Sequence, residues 1–190
     1  NWKTLLNSKG ETSDLNEFYK NVYQLPVQNS VFVDNTANND VPKQYINYIK
    51  DSVAVVACNK IACSSEYDNY MNLKQLSREY NAPLLFETNI GAGLPIIDTL
   101  NNLIASGDKI TEIQAVLSGS LNFIFNYFND KTSFYDVVKQ AGIEGFTEPD
   151  PRIDLSGVDV MRKILILIRE SGVEMELEDI DNNSFLPQSS

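Results

Sequence analysis

Ser52-Val53-Ala54-Val55-Val56-Ala57 is a short run of small and β-branched apolar residues, closed by Cys58-Asn59-Lys60. The run is too short for an ordinary helix, and β-branching suits a pleated backbone, so it reads as a buried strand. Ser30-Val31-Phe32-Val33-Asp34 before it and Leu84-Leu85-Phe86-Glu87 after it have the same character. Val41 to Lys50, helical from near Pro42, separates the first two runs. A helix with Tyr70, Leu73, Leu76 and Tyr80 on its inner side separates the last two, ending at Asn81-Ala82-Pro83. Strand, helix, strand, helix, strand with short connections predicts parallel βαβ units and an α/β fold. Ligands of such sheets sit at the C-terminal ends of the strands. Two polar clusters fall there, Asn35-Thr36-Ala37-Asn38 and Asn59-Lys60, although loop chemistry explains them equally well.

Further out the pattern changes. Residues 1–12 read as polar and irregular, and Thr12, Ser13 or Asp14 can cap a helix carrying Leu15, Phe18, Val22 and Leu25, ended by Pro26. Asn89-Ile90-Gly91-Ala92-Gly93-Leu94-Pro95 is a glycine loop between a strand and a helix. It lacks the third glycine of a phosphate-binding turn, so exposed carbonyls holding a monovalent cation with Glu87 are at least as good a reading. The next helix, to about Ala105, is expected to bury Ile96, Ile97, Leu100, Leu103 and Ile104. Lys109 to Leu117 reads as a further strand. Ser118-Gly119-Ser120 then opens a helix, Leu121 to Phe128, that is apolar nearly all round and so suited to a core or a subunit interface. Another helix spans Phe134 to Ala141. The regular βα alternation stops near residues 88–95. The expected organisation is a βα-alternating part over 1–90 and a helix-rich part over 91–190.

Composition narrows the function classes. The 190 residues carry a formal net charge of -11, which disfavours a nucleic-acid backbone as partner. No apolar run is long enough for a membrane-spanning helix. Cys58 and Cys63 match no zinc or redox spacing, and a reducing, cytoplasmic setting with two free thiols is expected. Histidine is absent, so acid–base chemistry must come from carboxylates, lysine, tyrosine or water. Asn1-Trp2-Lys3 is neither a signal peptide nor an initiating methionine, and both ends read as cuts through a longer chain.

Chemistry gathers in Gly145-Phe146-Thr147-Glu148-Pro149-Asp150-Pro151-Arg152-Ile153-Asp154-Leu155-Ser156-Gly157-Val158-Asp159-Val160-Met161-Arg162-Lys163. Two prolines are expected to hold the start extended. Glu148, Asp150 and Asp154 form an acidic loop, and the helix from Val158 to about Ser171, stopped by Gly172, carries Asp159 and Lys163 on one face. That helix should bury Val160, Met161, Ile164, Leu165, Leu167 and Ile168. Several carboxylates and a lysine in a small volume can bind an ammonium group and move a proton. Residues 173–190 are acidic and polar, with Phe185-Leu186-Pro187 their apolar knot.

Three stretches together resemble homoserine dehydrogenase: Glu87-Thr88-Asn89-Ile90-Gly91-Ala92-Gly93-Leu94-Pro95-Ile96-Ile97, Leu117-Ser118-Gly119-Ser120-Leu121-Asn122-Phe123-Ile124-Phe125, and Gly145 through Lys163. Asn35-Thr36 and Cys58-Asn59-Lys60 fall in the matching order. The wording is that of the bifunctional aspartokinase–homoserine dehydrogenase branch. The resemblance implies a partial Rossmann-type nucleotide-binding domain followed by an α+β catalytic and dimerisation domain. It implies NADP- or NAD-dependent interconversion of L-aspartate 4-semialdehyde and L-homoserine, in a homodimer or higher homo-oligomer. By the same resemblance Lys163 transfers the proton, Asp159 orients it, and Lys60 stands near nicotinamide and the reacting oxygen. Glu148, Asp154, Gly119 and Ser120 would meet the amino-acid substrate. Asn35, Thr36, Asn59 and Lys60 would meet the nucleotide. Glu87 with the carbonyls of Ile90, Ala92 and Leu94 would hold sodium or potassium.

Three positions depart from the family pattern: Ile153 in place of aspartate, Phe146 in place of tyrosine, and Ile61 in place of a second lysine. The glycine-rich turn that cradles pyrophosphate in the family is not among these residues, so this stretch alone is expected to be inactive. A non-catalytic amino-acid-binding module derived from the fold is the alternative from a different class.

Overall fold

A computed structural model describes residues 1–27 and 29–186 of the chain. Pro187, the end of the expected apolar knot, lies outside the described residues. The chain divides into two compact units, Asn1–Asn59 with Met71–Leu85, and Lys60–Tyr70 with the chain from Phe86 onward.

The first unit begins with α1 (Trp2–Lys9) and α2 (Leu15–Tyr23). The irregular start read from sequence is corrected here: Trp2, Leu5 and Leu6 stand at helical spacing, and the Asn1 side chain caps Lys3 N–H at 3.2 Å. Asp14 caps α2 through the N–H groups of Asn16 and Glu17. β1 (Val31–Asp34) leads to a 3-10 turn, Val41–Gln44, and α3 (Tyr45–Lys50). β2 (Ala54–Ala57), α4 (Tyr67–Glu79, of which Tyr67–Tyr70 belongs to the second unit) and β3 (Leu84–Leu85) follow.

The sheet is parallel, order β1-β2-β3, with Val31 opposite Ala54, Asp34 opposite Ala57 and Val55 opposite Leu84. On one face Phe32 stacks on Tyr48 with ring centroids 4.1 Å apart, and Tyr45, Ile49 and Val55 are fully buried. Val31, Val33 and Leu85 on the other face are more than half exposed. The continuous apolar runs predicted burial on both faces, yet within this unit the strands alternate as half-covered strands do.

The second unit holds α5 (Thr88–Gly91), α6 (Ile96–Ala105), α7 (Gly119–Tyr127), α8 (Phe134–Ile143), α9 (Pro151–Leu155) and α10 (Val158–Glu170). A 3-10 turn, Leu177–Asp179, follows. Ser118 caps α7 through Leu121 N–H, and Ser133 caps α8 through Asp136 N–H. One core cluster joins Phe123 and Ile124 of α7, Val137 and Ala141 of α8, and Leu155 of α9. α10 packs on α5, α6 and α9 and is sealed by Leu165, Ile166 and Leu167.

Several expectations change. Lys109–Leu117 forms no strand among the described residues and takes no place in the sheet. The glycine loop opens as the helical turn α5, and the positive φ falls at Ala92 (φ 51°). Phe125, Tyr127 and Phe128 are exposed, so α7 buries only one side, and Leu103 of α6 is exposed too. Val160, Met161, Ile164 and Ile168 are half-buried while Ile166 is fully buried, because α10 is enclosed on all sides only near its C-terminal end. The acidic loop also folds: Asp150 is extended (φ -107°, ψ 103°), but Pro151 then starts α9, with Asp150 accepting from Arg152 N–H at 3.0 Å. A missing N–H and a fixed φ make proline a good first helical residue, which outweighs its extending effect on the residue before it.

No helix among the described residues is long and apolar enough to cross a membrane. Leu165→Ala is expected to destabilise by about 2–5 kcal/mol in urea denaturation, whereas Tyr135→Ala, at an exposed position, should stay within about 0.5 kcal/mol.

Candidate active site

The first turn of α10 builds the centre. Asp159 and Lys163 lie one turn apart, and Lys163 Nζ sits 2.7 Å from Asp159 Oδ2. The other carboxylate oxygen takes Lys60 Nζ at 3.3 Å. Lys163 also donates to the Leu117 carbonyl at 2.8 Å. Its side chain is 15% exposed, that of Lys60 25% and that of Asp159 48%, so a partly solvated carboxylate holds two largely covered ammonium groups. Burial pushes the Asp159 carboxyl upward, but the Lys163 hydrogen bond and the charges of Lys60 and Lys163 outweigh it and hold the pKa below its ordinary 3.8. The positive end of the α10 dipole also favours an anion at this position.

Lys60 is placed by a tight turn in which Ser64 N–H and Ser64 Oγ both donate to its carbonyl, each at 2.9 Å. A cavity of about 560 Å³ adjoins the lysines, lined by Lys60, Lys163, Thr88, Gly91, Ala92, Leu117, Ser118, Gly119 and Asn122 among others. That volume suits a drug-sized or cofactor-sized group.

A second carboxylate organises one wall. Asp154 Oδ1 accepts from Ser120 Oγ at 2.7 Å, Ser120 and Ser118 hydroxyls lie 2.9 Å apart, and Asp154 Oδ2 accepts from Glu148 N–H at 2.9 Å. Glu148 itself is exposed. The structure thus brings Lys60, Lys163 and Gly119 to one cavity, with Asp159 paired to both lysines beside it, and joins Asp154, Ser120 and the Glu148 backbone in a neighbouring network.

Glu87 is a helix cap: its two carboxylate oxygens accept from Ile97 N–H and Asp98 N–H, both at 2.8 Å, at the start of α6. Among the described residues no group of three or more His, Cys, Asp or Glu could hold a metal ion.

In the first unit, Asn35 and Thr36 are exposed at the end of β1, whereas Asn59 is buried. Both Asn59 amide hydrogens are committed, to Asp34 Oδ2 at 3.1 Å and to Asn38 O at 2.9 Å. Buried Asp34 also accepts from Tyr45 Oη at 2.6 Å and Thr36 N–H at 2.8 Å. Sequence reasoning missed Asp34 as the hub of this loop, although an aspartate ending an apolar strand is itself a signal. It also missed Ser118, Asn122 and the Leu117 carbonyl, and a backbone acceptor leaves no trace in a sequence.

A parallel α/β sheet with polar strand ends, together with a lysine–carboxylate cluster beside a cavity, is the make-up expected of a nucleotide-dependent oxidoreductase. Residues 1–87 match the family model described as homoserine dehydrogenase, NAD binding domain, and residues 95–188 the one described as homoserine dehydrogenase. The chain belongs to the homoserine dehydrogenase family.

The bifunctional aspartokinase/homoserine dehydrogenase 2, chloroplastic, of Arabidopsis thaliana is 43% identical over 188 residues, covering 98% of this chain and 20% of that protein. The homoserine dehydrogenase of Schizosaccharomyces pombe is 39% identical over 180 residues, 92% of this chain and 48% of that protein. A hyperthermophilic archaeal homoserine dehydrogenase solved in complex with NADPH superposes with a TM-score of 0.73 at 27% identity, covering 89% of this chain and 53% of that one. The chain therefore spans between about a fifth and about half of these relatives.

The lowered Asp159 pKa fixes a sign. Stability from the ionised carboxylate is fully present above the ordinary value and is lost as pH falls through the lower folded-state value. Asp159→Asn should therefore lower the urea midpoint at pH 7, and the gap to the unmutated protein should close as pH falls below the ordinary aspartate range. A gap independent of pH would contradict the assignment.

Proposed function

We propose that the protein carrying this chain is a homoserine dehydrogenase, interconverting L-aspartate 4-semialdehyde and L-homoserine with NADP or NAD. The observation that carries this reading is the shared carboxylate: one Asp159 serves Lys163 at 2.7 Å and Lys60 at 3.3 Å beside the cavity. One carboxylate and two ammonium groups leave one net positive charge, held where solvent is partly excluded.

A bound nucleotide would supply the hydride. The negative charge then developing on the substrate oxygen would meet a pre-placed positive cluster that stabilises it without reorganising. Two of the three Lys163 N–H groups serve Asp159 and Leu117 O. The third is the proton donor to the alkoxide, and in the reverse direction the neutral amine takes the hydroxyl proton back. Lys60 adds charge at the same oxygen, and Asp159 keeps both ammonium groups at their stations.

Gly119, which lines the cavity, lets the substrate backbone approach the start of α7. The exposed Glu148 carboxylate is the partner for the substrate's α-ammonium. Asp154, with both oxygens engaged, fixes Ser120 and Ser118. Asn35 and Thr36, exposed at the end of β1, would meet the nucleotide, and Asn59 shapes their loop. A monovalent cation fits Glu87 as a secondary role, since an oxygen accepting one N–H keeps a lone pair for an ion shared with the carbonyls of Ile90, Ala92 and Leu94. No step depends on it. The exposed aromatic side of α7, with Phe125, Tyr127 and Phe128, suits a homodimer contact, and a reducing compartment such as the cytoplasm suits the two free thiols.

The test is homoserine-dependent NADP or NAD reduction by the full-length protein beside its Lys163→Ala variant. Turnover is expected to fall by about 10²–10⁴-fold in the variant, the range for a lost general acid–base group, with folding intact. Equal turnover in both would remove Lys163 from the proton path. Homoserine binding without turnover in the unmutated protein would favour a binding module.

A further inference from the structure

Arg169 lies on α10 six residues beyond Lys163, about 9 Å further along the axis at 1.5 Å per residue. Its side chain is 0% exposed, and burying a charge so completely is costly unless every polar atom is met. Every one is met. Nε and Nη2 donate to Met175 O at 3.1 and 2.9 Å, and Nη2 donates to Glu176 Oε2 at 2.8 Å. Nη1 donates to Cys63 O at 3.0 Å and Ser65 O at 2.6 Å. These account for the five N–H groups of a guanidinium.

The same anchor is reinforced from three sides. The Arg169 guanidinium lies 5.5 Å from the ring centroids of both Tyr67 and Tyr70. Glu176 Oε1 accepts from Tyr67 N–H at 2.8 Å, and the Tyr70 hydroxyl donates to the Glu170 carboxylate. Burial, and then the charge of Glu170, push the Tyr70 phenol well above its ordinary pKa, so it stays a donor.

The two loop carbonyls held by Arg169 flank Ser64. Ser64 is the residue whose N–H and Oγ hold the Lys60 carbonyl. The turn that presents Lys60 is thus fastened at both ends to α10: the lysine ammonium to Asp159 in the first turn, the Cys63 and Ser65 carbonyls to Arg169 in the last. A helix is a stiff ruler between those points.

We propose that Arg169 is a positioning residue for Lys60, fixing the Cys63–Ser65 backbone and, through Ser64, the station of the Lys60 ammonium beside Asp159. The inference rests on the role given to Lys60 above. Lysine cannot replace arginine here, because one ammonium cannot span acceptors that a planar fork reaches on three sides.

The test is a double-mutant cycle in the full-length protein, reading kcat for homoserine oxidation in Arg169→Lys, Lys60→Ala and the double variant. Arg169→Lys is expected to lower kcat by about tenfold or more, the scale of a displaced group in an active site, and to cost nothing further once Lys60 is alanine. Equal fold-losses in both backgrounds would overturn the inference and leave Arg169 a structural residue. Should Arg169→Lys not fold, Ser64→Ala, which removes only the hydroxyl bond to the Lys60 carbonyl, takes its place in the same cycle. A kcat loss that vanishes in the Lys60→Ala background then supports the inference, and an equal loss there overturns it. Unchanged kcat in Lys60→Ala alone would overturn the role of Lys60, and this inference with it. A loss there combined with additive Arg169 losses would overturn this inference alone.

Discussion

Two ammonium groups brought to one point repel each other by about 1 kcal/mol at 4 Å in water and several times more where water is partly excluded. Lys60 and Lys163 share a cavity wall because Asp159 stands between them with one oxygen for each. The carboxylate in turn needs a fixed place, and the surrounding elements provide it. Gly157, at φ 78°, lets the chain turn from α9 into α10, so Asp159 falls in the first turn, where the helix dipole favours an anion. Packing of α10 on α5, α6 and α9 then holds that turn against the segment that contributes Leu117.

The wall opposite the helix is held by polar bonds more than by packing. Leu117 O is tied to Lys163, and three residues on, Ser120 is tied to Asp154. Gly119, between them, is exposed and has open space around it. The backbone from 117 to 120 is therefore clamped at two points and open in the middle, which lets a small ligand approach the main chain without a side chain in the way.

The sheet was legible because β-branched runs have few alternatives: the three strands, their parallel direction and the helices between them follow from composition and spacing. The Asp159–Lys163 pair was legible because i,i+4 geometry is local. What escaped depended on distant partners. Phe125, Tyr127 and Phe128 read as buried from their apolarity, yet they are only partly covered, Phe125 by Phe134 and Phe185, Phe128 by Phe134 and Tyr127 by Phe123 of its own helix. Lys109–Leu117 has strand-like residues but takes no place in the sheet. Arg169 and Glu170 carry no signal of burial in the sequence, since a charge near a helix end is ordinarily exposed. Only the folded positions of Cys63, Ser65, Met175 and Glu176 make burial of that guanidinium affordable.

The neighbouring residues Asn59 and Lys60 show why spacing alone could not assign the site. In the sequence they form one polar cluster at the end of a strand. In the fold their side chains serve different networks: Asn59 uses its amide on Asp34 and Asn38 O, in the unit that contains the sheet, and Lys60 uses its ammonium on Asp159, in the unit that contains α10. One peptide bond separates a residue that shapes a loop from a residue that supplies charge. Strand-end position explains the first of these. The second follows only from the turn at Ser64 and its anchorage to α10, so Lys60 is better understood as a residue delivered by that helix than as the last residue of a strand-end cluster.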